Sequence, residues 1–288
     1  MASAILGLPA TAVPAQATTQ AAVPSSTTPC GVTSAPPVWY DHVIWVVFEN
    51  KTYASVIGSA SAPYLTALSS KCANAKGMVA ATHPSLPNYI WMTAGSAKGV
   101  NDDGPPSTWK LRGPNIFSII GDWRSLQESM PSNCLKTDSG GYAVKHNPAA
   151  YFTDLPSCAS RDVPLTATPN LSAKFTMIVP NLCHSMHDCS VRTGDTWAAG
   201  LVPKLLDSAE YKAGRTAIFI TFDENDGSAG NHIPTIVIAP SVKPGTVVTT
   251  KYNHCNMQHT TIAMLLAPGP YAWAGCPATA SIRKPFNL

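Results

Sequence analysis

The chain has 288 residues, of which 45% are hydrophobic and only 12% charged, and its formal net charge is +3. This length and composition suit one large buried core, and no stretch is typical of a long linker between two cores. The lysines and arginines are scattered singly, so no basic stripe forms and nucleic acid is not an expected partner.

The first segment, residues 1–28, is rich in Ala, Pro, Thr and Ser and is almost uncharged. Residues 13–17 have the small-x-small form that signal peptidase cleaves, although the basic start of a signal peptide is missing. We interpret residues 1–28 as a signal-peptide remnant and disordered segment, and residues 29–288 as a single domain. We expect a secreted monomer without a stable membrane anchor, because no run of ~18 apolar residues occurs.

Helical patterns alternate along the chain with short apolar runs rich in Val and Ile. The predicted strands are residues 42–48, 78–81, 175–179, 216–222 and 233–239. The predicted helices are residues 62–71, 87–94, 115–123, 195–211 and 256–266. The alternation predicts an α/β fold, doubly wound, with a mostly parallel sheet and helices on both faces. Residues 97–114 and 124–174 are predicted to be long loops over one edge of the sheet.

The cysteines form an even set without any CxxC pair, which favours disulfides over zinc binding. They are Cys30, Cys72, Cys134, Cys158, Cys183, Cys189, Cys255 and Cys276. Sequential pairing is the simplest of the roughly 105 possible patterns, and it includes a small loop closed by Cys183 and Cys189. A zinc site made of thiolates is the alternative, but its ligands normally come in closely spaced pairs.

Acidic and amide side chains follow two of the predicted strands. Glu49 and Asn50 come after the first strand, and Asp223 and Glu224 come after the strand at 216–222. Ligands of doubly wound sheets sit beyond the carboxyl ends of the strands, so these oxygens are able to converge on a hard cation. Either cluster alone has an alternative explanation, in which the acid merely caps the next turn.

Ser85 lies between a short predicted strand and a predicted helix, in the sequence Thr82-His83-Pro84-Ser85-Leu86-Pro87-Asn88-Tyr89. Pro87 suits the first turn of a helix, which places Ser85 at or just before the helix N-terminus. The unpaired N–H groups and the helix dipole favour a phosphate there and help a serine hydroxyl to ionise. The alternative is that Ser85 is only an N-cap.

Two further clusters carry histidine. His187 and Asp188 follow the buried strand at 175–179 and are able to contact a phosphoryl oxygen, ligate a metal or protonate a leaving group. Lys145 and His146 are able to neutralise phosphate charge, although a solvated pair in a loop is the commoner explanation. Two other histidines are interpreted as structural or surface residues, namely His232 and His259.

Taken together, these segments resemble a phosphoesterase family of the alkaline phosphatase superfamily, which contains secreted acid phosphatases and non-specific phospholipases C. The similarity runs over residues 40–266, and the motifs occur in the family's order. They are Val46-Val47-Phe48-Glu49-Asn50, His83-Pro84-Ser85-Leu86-Pro87-Asn88-Tyr89, Tyr142-Ala143-Val144-Lys145-His146-Asn147-Pro148, Met186-His187-Asp188, Phe222-Asp223-Glu224-Asn225 and Tyr252-Asn253-His254. The short chain looks more like the mycobacterial and fungal acid phosphatases than the larger phospholipases.

The resemblance implies one divalent cation, which is Ca, Mg, Mn or Zn. Its ligands are the residues that match the family's metal set, namely Glu49, Asn50, Asp223, Glu224 and the hydroxyl of Ser85. It also implies Ser85 as nucleophile with Asn88 beside it, a phosphate-contacting His187-Asp188 motif and a late histidine, His254. The sequence departs from the family around that motif, where two cysteines flank it and His184-Ser185 replaces the usual Asn or Asp.

The expected function is hydrolysis of phosphate monoesters by a phosphoesterase domain, through a phosphoserine and with an acidic pH optimum. Asn88, His187, Lys145 and His146 are expected to stabilise the phosphoryl oxygens. A histidine, His187 or His254, is expected to protonate the departing oxygen. One alternative is a phospholipase C that releases phosphorylated headgroups, although no exposed amphipathic stretch suggests binding at a membrane interface. Another is a secreted binding module without catalysis.

Overall fold

The computed structural model describes Met1, residues 22–266 and residues 281–288. The strands of these residues are β1 His42–Phe48, β2 Ala73–Asn74, β3 Met78–Val79, β4 Trp123–Gln127, β5 Asp162–Pro164, β6 Phe175–Val179, β7 Thr216–Phe222, β8 Thr235–Ile238, β9 Thr246–Val247 and β10 Tyr252–Asn253. The α-helices are α1 Tyr53–Val56, α2 Pro63–Lys71, α3 Ser85–Ala94, α4 Ile116–Ile120, α5 Cys158–Arg161, α6 Val191–Leu206, α7 Ala209–Lys212, α8 His254–Leu265 and α9 Arg283–Phe286. Short 3-10 helices cover Val144–His146, Pro148–Tyr151 and Ala229–Asn231.

Most of the strands form one mixed sheet. Within the described ranges it has eight strands in the order β5-β4-β6-β1-β7-β8-β2-β9. The pairs from β5 to β7 are all parallel, whereas β8 runs antiparallel to both β7 and β2. The central strands β1 and β7 are mostly apolar because they are buried on both faces. The predicted mostly parallel sheet is confirmed.

Helices cover both faces of the sheet, as predicted. On one face, Trp45 of β1 donates a hydrogen bond of 3.0 Å to Thr261 of α8. On the other face, the ring of Phe48 packs edge-on against Trp197 of α6, with centroids 5.8 Å apart. Side chains three positions apart on a strand point to opposite faces, so α8 and α6 lie on opposite sides of β1. Helix α2 packs on α6, while α3 and α4 pack on α8.

The prediction of a long loop at residues 124–174 is wrong. It contains β4, which lies between β5 and β6 inside the sheet, and several short helices. The sequence of β4 hides a strand because two of its buried side chains are polar. These are Ser125 and Gln127, which satisfy each other through a hydrogen bond of 2.8 Å.

Several predicted boundaries also change. The helix predicted at 115–123 ends at Ile120, because Gly121 follows with a φ of 74° and Trp123 already begins β4. The predicted strand at 78–81 shortens to β3 and pairs with β10 in a separate sheet. The helix predicted at 195–211 divides into α6 and α7, because Ser208 caps a new helix by accepting a hydrogen bond from Tyr211.

Three of the expected disulfides are present, and they link sequential cysteines as predicted. They are Cys30–Cys72, Cys134–Cys158 and Cys183–Cys189. The fourth expected pair includes Cys276, which lies outside the described residues, as does the predicted signal-peptidase site at 13–17. None of the helices in the described ranges is both long and apolar enough to cross a bilayer.

Candidate active site

The two acidic clusters meet because β1 and β7 end at the same level. The parallel register pairs Phe48 with Phe222, and the amide of Asp223 donates to the Phe48 carbonyl at 3.0 Å. The next residues, Glu49 and Asp223, are both fully buried. Asn50 follows in the left-handed region, with a φ of 47°, and its amide donates to Asp223 Oδ1 at 3.3 Å. The predicted pairing of the acids at one sheet edge is therefore present.

Ser85 faces these acids from the start of α3. It is the first residue of the helix, and the N-cap is Pro84, so Ser85 is not the cap residue. Its hydroxyl instead donates to Glu49 Oε2 at 3.1 Å and lies 3.4 Å from Glu224 Oε1. The side chain is 1% exposed. The burial and the two carboxylate contacts show that this hydroxyl is directed into the acidic cluster.

Asn88 ties the start of α3 to Glu224. Its Nδ2 donates to Glu224 Oε2 at 3.0 Å and to the carbonyl of Thr82 at 2.7 Å, while its Oδ1 accepts from the Thr82 amide at 3.1 Å. His83 Nδ1 lies 2.8 Å from the same oxygen of Glu224. The amide group of Asn88 therefore holds both the turn before Ser85 and the Glu224 carboxylate.

Two further side chains contact Glu49 within the buried cluster. The hydroxyl of Tyr89 donates a short hydrogen bond to Glu49 Oε1. Nε2 of His146 lies 3.3 Å from Glu49 Oε2 but makes no hydrogen bond within the described part of the chain. Burial, followed by the neighbouring Lys145 charge, holds the pKa of His146 well below its usual value. Burial therefore favours the neutral form of the His146 imidazole beside the carboxylates.

The carboxylates of the cluster are hard to ionise together. Burial raises the pKa of Glu49 well above its usual value, and the charge of Asp223 adds to the shift. Burial also raises the pKa of Asp223 to about 6 and that of Glu224 to about 8. Two of these acids, Glu49 and Glu224, contact the Ser85 hydroxyl, and burial together with the neighbouring charge of Asp223 disfavours ionisation of both.

The donor atoms of this cluster suit a hard divalent cation. Asn50 Oδ1 and Asp223 Oδ2 are buried oxygens without a hydrogen-bond partner among the described residues. Buried polar atoms rarely stay unpaired, and a carboxyl-rich set of oxygens is the ligand type that Ca, Mg and Mn prefer. The predicted set of Glu49, Asn50, Ser85, Asp223 and Glu224 therefore fits a cation chemically.

A second row of side chains borders the cluster on its more exposed side. Lys145 Nζ donates to Asp103 Oδ2 at 2.9 Å and lies 3.3 Å from His187 Nε2. His187 Nδ1 lies 2.6 Å from Asp188 Oδ1. Burial alone lowers the pKa of Lys145, but the hydrogen bond and charge of Asp103 outweigh it and raise the pKa. The row therefore presents one ammonium group and one imidazole.

The disulfide loop around His187 is held from both sides. The Glu49 amide donates to the carbonyl of Ser185 at 2.9 Å, which ties the loop to the buried acids. His184 Nδ1 lies 2.9 Å from Glu128, which follows β4. The side chain of His184 therefore contacts Glu128 and not the acidic cluster around Ser85. The histidine of this loop that lies near Lys145 is His187.

His254 lies deeper than the other predicted residues. It is fully buried at the start of α8, and its Nε2 donates to the carbonyl of Phe222 at 2.9 Å. Burial lowers the pKa of His254 to about 4. The structure thus places it behind the strand end that carries Asp223, without a hydrogen bond to Ser85 among the described contacts.

Sequence reasoning assigned no role to three side chains of this site, namely Tyr89, Asp103 and His83, although the quoted motif contains Tyr89 and His83. A signal for Tyr89 was available, because it is four residues after Ser85 and thus on the same face of α3. Asp103 and His83 lie in turns without a periodic pattern, so only the folded chain reveals their partners.

Comparisons with known proteins show the family of this chain. The sequence model of the Phosphoesterase family matches residues 59–263. Phosphatidylinositol-3-phosphatase of Mycobacterium tuberculosis is 31% identical over 230 residues, which cover 77% of this chain and 75% of that protein. Acid phosphatase of Aspergillus fumigatus is 25% identical over 77% of this chain and 54% of that protein. The chain spans about half the length of the fungal acid phosphatases that it matches.

Solved structures share the fold at low sequence identity. A protein in the alkaline phosphatase superfamily from Vibrio parahaemolyticus has a TM-score of 0.58 at 14% identity, covering 88% of this chain and 74% of that one. The lipoteichoic acid synthase LtaP from Listeria monocytogenes also has a TM-score of 0.58, at 13% identity, over 84% of this chain and 76% of that one. The fold is therefore that of the alkaline phosphatase superfamily.

Proposed function

The chain belongs to the Phosphoesterase family and is a hydrolase of phosphoric esters, and from this premise we propose that it is a secreted, metal-dependent phosphatase acting through Ser85. The observation that carries the proposal is the buried Ser85 hydroxyl, which points from a helix start at Glu49 and Glu224. The alternative of a binding module without catalysis is excluded by the family.

We propose that Glu49, Asn50, Asp223, Glu224 and Ser85 hold one divalent cation. The support is the excess of buried carboxylates and the two unpartnered oxygens described above. A cation bound there supplies positive charge that lowers the pKa of the serine hydroxyl and draws electrons from the phosphoryl group. The tyrosine hydroxyl at Glu49 and the amide group of Asn88 at Glu224 keep these carboxylates oriented.

In the proposed reaction, Ser85 Oγ forms a bond to phosphorus while the bond from phosphorus to the ester oxygen breaks. Pro87 lacks an N–H and the Leu86 amide donates to Asp103, so the amide of Ser85 itself is the helix-start donor for a phosphoryl oxygen. Lys145 adds positive charge on the open side. Water then attacks the phosphoserine and releases phosphate.

Of the two histidines considered as proton donors, we favour His187. It lies beside Lys145 on the partly exposed side, and Asp188 contacts its other ring nitrogen, which stabilises the imidazolium. His254 is a poor proton donor, because its lowered pKa means that the imidazole is seldom protonated and because the residue is completely buried. A histidine must be protonated to protonate the leaving oxygen, so activity is expected to be highest at acidic pH.

The proposed substrate class is the phosphate monoester. The relative from M. tuberculosis is named for removing a phosphate from a phosphoinositide, which makes a monoester on a lipid headgroup a second candidate. Phospholipase C activity on a diester is the remaining alternative. The proposal of secretion is supported by the disulfides at Cys30–Cys72, Cys134–Cys158 and Cys183–Cys189, since such bonds persist in oxidising compartments.

The test uses purified full-length chain with p-nitrophenyl phosphate, a phosphoinositide monophosphate and phosphatidylcholine, each with and without chelator. We expect chelator-sensitive release of phosphate from a monoester, and acid quenching followed by mass spectrometry should detect phosphate on Ser85. Ser85→Ala should abolish turnover, whereas Ser208→Ala, which alters the cap of α7, should retain it. Full activity of Ser85→Ala would reject the covalent route, and activity on phosphatidylcholine alone would reject the monoester.

A further inference from the structure

One carboxylate joins the start of the Ser85 helix to the lysine on the open side of the site. Asp103 Oδ1 accepts from the Leu86 amide at 3.0 Å, and Asp103 Oδ2 accepts from Lys145 Nζ at 2.9 Å. The Asp103 side chain is 30% exposed. An acid at this position repels an anionic substrate, so its two contacts, rather than its charge, are what it offers to the site.

The turn that carries Asp103 is itself well held. Asp102 Oδ1 accepts from the Gly104 amide at 2.8 Å and from Trp109 Nε1 at 2.7 Å. The Gly104 carbonyl accepts from the hydroxyl of the buried Tyr151 at 3.0 Å. A Cβ at Gly104 would lie 2.8 Å from both Asp102 Oδ1 and Trp109 Nε1, so a larger residue there would displace these side chains. The position of the Asp103 carboxylate is therefore fixed by its own loop.

The contact to Asp103 also determines what Lys145 is able to do. An ammonium group has three donors, of which one goes to Asp103. The ammonium group therefore keeps donors for a phosphoryl oxygen while Asp103 holds it in place. Without Asp103, the long and flexible lysine side chain would lose the anchor that directs it, because a lysine is a point charge on a mobile stem.

We propose that Asp103 is a positioning residue, which orients Lys145 and the amino end of the Ser85 helix toward the same phosphoryl group. This proposal rests on the proposed phosphatase function. The carboxylate is not in contact with the reacting atoms, and its effect passes through Lys145 and through the Leu86 amide, of which Asp103→Asn retains the second contact. Orientation matters most in the transition state, so the loss is expected in kcat rather than in substrate binding.

The test compares Asp103→Asn with the native protein, using p-nitrophenyl phosphate as substrate and inorganic phosphate as competitive inhibitor. The asparagine still accepts from the Leu86 amide but has only one oxygen, so the Lys145 anchor weakens. We expect kcat to fall about tenfold or more, KM not to rise, and the Ki of inorganic phosphate to fall because one negative charge is removed. A structural role alone would instead raise KM and Ki as kcat falls.

A double-mutant cycle with Lys145→Met isolates the coupling between the two residues. If Asp103 acts through Lys145, adding Asp103→Asn to Lys145→Met changes kcat less than twofold, and Asp103→Glu restores part of the native kcat. Additive losses, or a kcat of Asp103→Asn within twofold of native, would overturn the proposal. Asp41→Asn, at the opposite edge of the sheet, is the control and should match native kinetics. A native protein without phosphatase activity would refute the proposed function itself, which separates the two failures.

Discussion

The buried carboxylate of Asp162 is expected to make the stability of this protein depend on pH. Asp162 is fully buried at the start of β5, Oδ2 accepts from Asn147 at 2.7 Å, and Oδ1 has no hydrogen-bond partner among the described residues. Burial raises its pKa to about 7, although Asn147 and Ser125 partly offset the shift. Asn147 directly follows His146, so the same contact supports the segment that carries two candidate site residues.

The magnitude follows from the two pKa values. The carboxyl has a pKa near 3.8 when exposed and about 7 when buried, and each unit corresponds to about 1.4 kcal/mol. The fold favours the neutral form, so this contribution is fully present below about pH 4 and is lost as the pH rises toward 7. The native protein should thus lose about 4 kcal/mol that Asp162→Asn, which has no proton to release, does not lose.

The assay is urea unfolding with the disulfides intact, followed by tryptophan fluorescence at several pH values between about 4 and 8. The free energy of unfolding of Asp162→Asn, taken relative to the native protein, should rise by about 4 kcal/mol across this range. Other titrating groups are common to both proteins and cancel in the difference. Asp154→Asn removes an exposed carboxylate as the control. A constant difference between native and Asp162→Asn at every pH would refute the reasoning.

Three further predictions concern the site. Tyr89→Phe removes the phenolic donor to Glu49 and should lower the free energy of unfolding, measured in urea, by about 1–3 kcal/mol. An unchanged value would show that this hydrogen bond contributes nothing to stability. Chelation of the cation should lower the melting temperature, because a cation at 100 times its Kd stabilises the fold by about 2.7 kcal/mol. Adding Ca, Mg, Mn or Zn in turn should identify the cation that restores the melting temperature. A melting temperature that neither chelator nor any of the four cations changes would contradict the proposed metal site. Replacing Cys183 and Cys189 together by Ser should lower the free energy of unfolding by about 2 kcal/mol. The same change should reduce kcat more than KM, because the loop that carries His187 loosens. Equal kcat and KM values for the native protein and the variant would show that the disulfide does not position His187.

Much of the fold could be predicted because its central strands are mostly apolar. The predicted bounds of β1, β6 and β7 agree with the structure residue for residue, since burial on both faces leaves few polar positions inside them, such as Thr176 and Thr221. β4 could not be found in this way, because its buried polar side chains satisfy each other only after folding. The same limit applies to β10, whose two residues pair with β3 across a long sequence separation.

The site could be predicted where the position of a residue at the end of a strand or at the start of a helix determines where its side chain lies. Glu49 and Asp223 follow strands that end together, and Ser85 opens a helix, so their convergence follows from parallel topology. Asp103 was not predictable, because its role depends on an irregular turn that is held by contacts distant in sequence. Turns of this kind have no periodicity from which contacts can be inferred.

Phe48 and Phe222 are paired directly across β1 and β7, so the distance between the acids that follow them does not depend on the lengths of the surrounding loops. The gap between the two acids is the width of one strand-to-strand step, about 4.8 Å, and no loop length enters into it. Surface loops are thus free to grow or shrink during evolution without altering this distance. Deleting a single residue within β1, by contrast, would turn Glu49 to the opposite side of the sheet, and no neighbouring loop could restore it.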